Sequence, residues 1–228
     1  MVTSGTKGRP RDEMAIFDLE SDTLEPVWTY AAEPGALVSL PRFTPDGTRL
    51  VAGVFRDSRS AVPDAAPGAE ALGIGVWQTP TDGATDWALI DWIDVGSCGA
   101  RIEDVSDRNM LVEVSPDVDA ACFEVPWGNS TLDLVTFEGG QTSRLTSTFG
   151  LARPSDLLSD DGSAAVFAEV EDQVTESFRT VVLDTESLAR RWEGNLNSDW
   201  PLALNADGSL LLTEGASGLE VRDIDDGR

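Results

Sequence analysis

A chain of 228 residues, 41% of them hydrophobic, is long enough to bury a sizeable core, and no apolar run approaches the ~18 residues of a membrane span. Its 41 acidic residues against 16 basic ones leave a formal charge of −25, which argues against nucleic-acid binding because little is left to neutralise phosphates. Histidine is absent, and with it go Ser-His-Asp and Cys-His catalysis, imidazole acid–base work and His-ligated metals.

Residues 1–12 are polar and Gly-rich, with no apolar segment of signal-peptide type, and read as a disordered lead-in. A cytoplasmic location is therefore expected, or an extracytoplasmic one if the chain is part of a longer anchored protein. Strands are predicted over 14–19 and 26–30, the second rich in β-formers. The run 36–40 leads into Phe43-Thr44-Pro45-Asp46-Gly47 and returns through 50–55. Asp-Gly between apolar segments is a hairpin signal, because glycine takes φ > 0 without a Cβ clash. Residues 56–73 hold two prolines and no consistent period, and read as an exposed insertion.

Strands resume over 74–77 and 87–90. A second hairpin spans 99–114, turning at Asp107-Arg108-Asn109, with Asn109 where glycine would stand; asparagine is the next most tolerant residue there. An excursion over 115–130 follows, then a strand at 132–137, a Gly139-Gly140 turn and a short outer strand at 144–146. The third unit turns at Asp161-Gly162, continues at 178–183 and closes over 188–192. The fourth begins near Trp200, turns at Asp207-Gly208 and finishes over 219–224. Only 186–191 is friendly to helix.

One phrase thus occurs four times. Gly162 and Gly208 lie 46 residues apart, Asn109 and Gly162 53, and Gly47 and Asn109 62, the longest interval containing the first insertion. A core period of about 45 with four short strands is what a β-propeller blade needs. The reading is an all-β chain, 13–228 forming a single β-propeller domain of about four to five four-stranded antiparallel blades, with an incomplete ring as one outcome. Its opening looks like the two outer strands of one blade and its close like the three inner strands of another.

Cys98 and Cys122 flank the second hairpin at the same end. They are candidates for a disulfide worth about 3 kcal/mol in an oxidising compartment, with two free thiols as the other reading. Carboxylates cluster at Asp156, Asp160 and Asp161, at Asp117 and Asp119, and at Asp223, Asp225 and Asp226. None has calcium-loop spacing, and so acidic a chain produces clusters by chance. Asp46, Asp161 and Asp207 are expected to bond local backbone amides in their turns. Trp77, Trp87, Trp127 and Trp192 are expected to pack between blades rather than line a ligand face. No Gly-x-Ser-x-Gly elbow and no phosphate-binding glycine pattern is present, and no cofactor or metal is expected.

The phrase Phe43-Thr44-Pro45-Asp46-Gly47-Thr48-Arg49-Leu50 resembles the WD40-like repeats of TolB-type β-propellers. The stretch 132–146, a strand followed by Glu138-Gly139-Gly140 and ending in Arg144-Leu145-Thr146, looks like the outer half of the same repeat. The likeness runs from about 14 to 224, and 104–109 departs from it by lacking both Pro and Gly. Such propellers are commonly interaction scaffolds, and some form one domain of a larger hydrolase or receptor. The expected function is accordingly a non-enzymatic scaffold that binds another protein, one with a basic surface being a candidate, or a ligand, through loops at one end of the axis; the acidic surface otherwise reads as a solvated face. The chain would be a monomer or part of a larger chain. The alternatives are a propeller domain of a hydrolase, a carboxylate-based glycosidase or lyase, and a sensor domain of a membrane protein.

Overall fold

The computed structural model describes residues 2–3, 13–18, 20, 25–33, 36–56, 73–80, 86–94, 100–114, 130–137, 140–149, 157–172, 177–195, 200–215 and 217–225. Among these there are 18 strands and no helix. No helix among them is long and apolar enough to cross a membrane. The chain divides into two compact units, 1–102 with 114–125, and 103–113 with 126–228.

The first unit holds two sheets. One has the strands β1 (Val2–Thr3), β2 (Glu13–Phe17) and β3 (Pro26–Ala31); the other has β4 (Ala36–Phe43), β5 (Arg49–Arg56), β6 (Gly73–Gln78) and β7 (Ala88–Asp94), each in sequential order. Met14 and Ile16 of β2 meet Val38, Leu50, Ala52 and Val54 of β4 and β5 in one core cluster that also takes in Trp77. The second unit holds most of the sheet β8 (Ala100–Val105), β9 (Asn109–Val114), β10 (Ser130–Thr136) and β11 (Thr142–Phe149). It also holds the sheet β12 (Leu157–Leu158), β13 (Ala164–Asp172), β14 (Ser177–Asp184) and β15 (Arg190–Asn195). Its last sheet is β16 (Trp200–Leu204), β17 (Leu210–Gly215) and β18 (Gly218–Asp223).

The described sheets therefore have three, four, four, four and three strands, all antiparallel, with neighbours consecutive in sequence. This is the all-β propeller arrangement, and the first sheet has three strands where the sequence suggested two. Central strands are buried on both faces: Leu50 to Ala52 on β5, Met110 to Val112 on β9 and Ala164 to Phe167 on β13 are all at most 1% exposed, and β13 has a sheet of its own unit packed on each side. Pro41 and Pro201 sit on first strands, which are sheet edges. Pro41 falls at the register shift between Ser39 and Arg42 on β4, and Pro201 at the shift between Pro201 and Ala203 on β16. An edge tolerates a residue without an N–H.

Hydrogen bonds fix the equivalence of the repeats. The amides of Thr44, Ser159 and Asn205 each donate to the carbonyl five residues on, of Arg49, Ala164 and Leu210, at 3.0 Å. Inside these turns Gly47, Gly162 and Gly208 have φ of 70°, 74° and 70°, as a left-handed turn residue requires. The hairpins are thus longer than a two-residue Asp-Gly turn: the Gly47 amide donates back to Thr44 at 2.8 Å, with Pro45 and Asp46 at the turn's centre. The second hairpin differs, because the Ser106 amide donates to the carbonyl of Asn109 at 2.8 Å, two residues sooner. Asn109 is the first residue of β9, equivalent to Arg49, Ala164 and Leu210, and does not replace the glycine. This shorter turn has no positive φ, which among described non-glycine residues occurs only at Leu188 (57°).

A second set of bonds repeats the pattern. The amides of Thr79, Phe137, Thr185 and Ile224 donate to the carbonyls of Thr48, Arg108, Ser163 and Ser209 at 2.9–3.0 Å, tying the end of each third strand to its own turn. The helix-friendly run 186–191 is a turn entering β15, in which the Asp184 carboxylate accepts the Ser187 amide at 2.7 Å.

Candidate functional site

The turns of the second unit form a column. The Asp107 amide donates to the Asp160 carbonyl at 2.9 Å, and the Asp161 amide to the Ala206 carbonyl at 3.1 Å. The Asn109 side-chain amide donates to the Gly162 carbonyl at 2.9 Å, and the Ser163 hydroxyl to the Asp207 carbonyl at 3.1 Å. Asn109 thus clasps the next sheet's turn instead of bending its own. The carboxylates of these turns are occupied locally. Asp46 accepts the Thr48 amide at 2.9 Å and the Thr44 hydroxyl at 2.6 Å. Asp161 accepts the Ser163 amide and the Ser159 hydroxyl, and Asp207 the Ser209 hydroxyl and the Asn205 side-chain amide. Burial pushes the Asp46 and Asp161 carboxyls up, but these hydrogen bonds outweigh it and hold both below the ordinary value of 3.8. Asp207 is lowered too, chiefly by the Ser209 hydroxyl. Carboxylates held ionised in turns are poor proton donors, and their hydrogen-bonding capacity is engaged by backbone and hydroxyl donors.

The other clusters disperse. Asp223 accepts the Asp225 amide at 3.0 Å, and Asp225 pairs with Arg191 at 2.6 Å. Asp117, Asp119, Asp156 and Asp226 lie outside the described residues, as do Cys98, Cys122 and most of both insertions at 56–73 and 115–130. Trp77 is 1% exposed, its ring 4.9 Å from that of Tyr30 and edge-on to it; Trp28 joins Trp77 and Trp87 at 6.2 and 6.0 Å. Trp192 packs against Ala164, Val166 and Leu211. These tryptophans are packing residues, while Trp127 is outside the described set.

What remains is a first-strand carboxylate. The first strand of a propeller sheet is the one nearest the axial channel. Across β4, β8, β12 and β16 acidic residues occur only on β8, as Glu103 and Asp104. The Asp104 Oδ2 accepts the Leu158 amide at 2.8 Å, fastening β8 to β12 of the next sheet. Successive residues of a strand point to opposite faces, so Asp104 and Glu103 cannot act together on one bond. Glu103 is 8% exposed, a carboxylate sheltered beside Ile102 and Val105. Sequence reasoning did not single it out; the available signal was an acid inside a short apolar strand just before a repeat turn. Among the described residues no group of three or more His, Cys, Asp or Glu could hold a metal ion.

The strand order and repeat register define a β-propeller protein. No protein-family model matches the chain, and no curated protein is similar to it. Among solved structures it is similar to an oligogalacturonate lyase in complex with manganese, at 15% identity and a TM-score of 0.50, covering 90% of this chain and 55% of that one. It is also similar to an oligogalacturonate lyase from Vibrio parahaemolyticus, at 15% identity and a TM-score of 0.52, covering 95% of this chain and 58% of that one. The chain spans just over half the length of each. At this identity the likeness establishes the propeller fold. The expected non-enzymatic scaffold is corrected to this extent: both of these neighbours are lyases, which favours the enzymatic alternative over the scaffold.

Proposed function

We propose that this chain belongs to a carboxylate-based lyase built on a β-propeller, with Glu103 as its general base. The observation that carries this reading is a single sheltered carboxylate on a first strand. Hydrolysis of a glycoside by the common route needs two facing carboxyl groups. Elimination needs one base, which takes the proton next to the carboxylate of a uronate sugar. The electron pair of that C–H bond becomes a C=C bond, and the glycosidic oxygen leaves with the electrons of its C–O bond and takes up a proton from water. The likeness to two lyases supports the reaction class. A uronate substrate is anionic and meets a chain of formal charge −25, so its approach is slowed at low ionic strength and eased by salt. Within the propellers, we propose that the repeats are of the WD40-like, TolB type, on the turn phrase from Phe43 to Leu50.

The test is the ultraviolet absorbance of the unsaturated product released from oligouronates. Turnover is expected to rise with salt and to fall by about 10²-fold or more in Glu103→Gln. Absence of unsaturated product at every ionic strength, or full activity in Glu103→Gln, overturns the reading.

A further inference from the structure

Three of the repeat turns carry Asp-Gly, the pair in which a chain most readily rearranges its own backbone, because glycine has no side chain to hinder attack. The glycine nitrogen attacks the aspartyl Cγ, a Cγ–O bond breaks, water leaves and a succinimide ring closes. Water then opens the ring at either carbonyl. One opening restores Asp; the other leaves isoaspartate, in which the main chain runs through Cβ and Cγ. The reaction needs a glycine nitrogen free to attack and a protonated carboxyl group turned toward it.

Both needs are blocked in each turn. The amides of Gly47, Gly162 and Gly208 donate to the carbonyls of Thr44, Ser159 and Asn205 at 2.8, 2.8 and 3.0 Å, so the attacking nitrogens are engaged. Each carboxylate accepts the amide two residues on, from Thr48, Ser163 and Ser209, at 2.9, 2.9 and 3.1 Å. Each is also held by a side chain two residues back: the Thr44 hydroxyl at 2.6 Å, the Ser159 hydroxyl at 2.8 Å and the Asn205 side-chain amide at 2.8 Å. Asp46 and Asp207 take a further bond from the hydroxyls of Thr48 and Ser209, at 2.8 and 2.7 Å. At Asp207 the peptide unit that would be rearranged is held at both ends, because its carbonyl accepts the Ser163 hydroxyl of the preceding sheet at 3.1 Å.

The flanking donors go with the repeat turn and not with Asp-Gly as such. Two further pairs, Asp82-Gly83 and Asp226-Gly227, lie outside the described residues. Their flanks are Pro80 and Ala84, and Ile224 and Arg228, with no hydroxyl or amide side chain at either place.

We propose that the donors flanking each repeat turn form a clasp that shields Asp46, Asp161 and Asp207 from isoaspartate formation. An extra main-chain carbon there would disturb the bonds from Thr44, Ser159 and Asn205 to the carbonyls five residues on, which close the hairpins. The ring can close only after the turn opens, so the rate of rearrangement reports local opening. This inference rests on the turns and is independent of the proposed chemistry.

Incubation of the folded chain, and of the chain in urea, in water enriched in heavy oxygen tests it. Each opening of a succinimide leaves a heavy oxygen on the aspartyl residue, and mass spectrometry of the digested chain reads it site by site. Label at Asp46, Asp161 and Asp207 is expected to enter at least about 10-fold more slowly in the folded chain than in urea. The double variant Asn205→Ala with Ser209→Ala is expected to raise the rate at Asp207 by about 3-fold or more, while Asp46 keeps its wild-type rate. A double variant in which Asp46 rises as well has loosened throughout, and the wild-type comparison then decides alone. Equal labelling in the folded and unfolded chain overturns the proposal. So does a folded double variant whose Asp207 takes up label at the wild-type rate.

Discussion

Gly208, at the turn of the last hairpin, lies with its bare Cα against the methyl group of Ala164 in the preceding sheet. A side chain at Gly208 would have to occupy the space that Ala164 holds, in a backbone at φ 70° that L-residues disfavour. Gly162 is placed in the same way against Ser106 and Asn109, whereas Gly47 has the same φ and open space around it. Gly47→Ala should therefore cost about 1–2 kcal/mol, the left-handed backbone alone. Gly208→Ala adds overpacking and should cost about 2–5 kcal/mol in total. Urea unfolding of the two variants checks the order; equal costs would show that the sheet-to-sheet contact is slack.

The turn carboxylates predict an acid-side loss of stability. Asp46 and Asp161 titrate below their ordinary value of 3.8 in the folded chain, so the folded state binds their protons less readily than the unfolded one. Their stabilisation is complete above that value and disappears as pH falls through the lower, folded one. Asp161→Asn should be less stable than wild type at neutral pH, with the difference shrinking below pH 3.8. Denaturant midpoints measured across that range decide it, and a difference independent of pH would count against the hydrogen bonds.

Across β13, β14 and β15, Arg179 and Arg190 alternate with Glu169 and Glu193 in a closed set of ion pairs at 2.7–3.1 Å. The groups are 20–41% exposed, so each pair is worth about 0.2–1 kcal/mol and is weakened by salt. A double-mutant cycle on Arg179 and Glu169 should return a coupling in that range at low salt. The coupling should fade at about 1 M salt. Removing Arg190 alone should cost more than removing Glu193, because it leaves two carboxylates facing each other in an already acidic chain.

The two faces of the last sheet should respond differently to the same change. Leu211 is fully buried among Ala164, Val166, Val182 and Ile224, and Leu211→Ala should cost about 2–5 kcal/mol. Leu219 is 67% exposed, and Leu219→Ala, at low salt, should fall within about 0.5 kcal/mol of wild type. Thermal melts of both variants at low salt test the contrast, and a cost at Leu219 approaching that at Leu211 would mean the face is already covered there.

Local chemistry was legible in the sequence. Four hairpins, an all-β chain and glycine at φ > 0 follow from residues within one turn of each other, and so do the roles of Asp46, Asp161 and Asp207. Their contacts span two to five residues, and neighbouring side chains alone decide them. Asn109 misled, because counting from Asp107 cannot reveal that the chain closes two residues early and spends the side chain on Gly162. Glu103 was one acid among 41 until the strand order placed it on a first strand, where it is 8% exposed. Leu219 and Val221 read as an ordinary third strand, apolar at the same two alternating places as Leu132 and Leu134. Burial is a property of what stands opposite, and only the stacking of whole sheets, between residues far apart in the chain, decided which of these strands is covered.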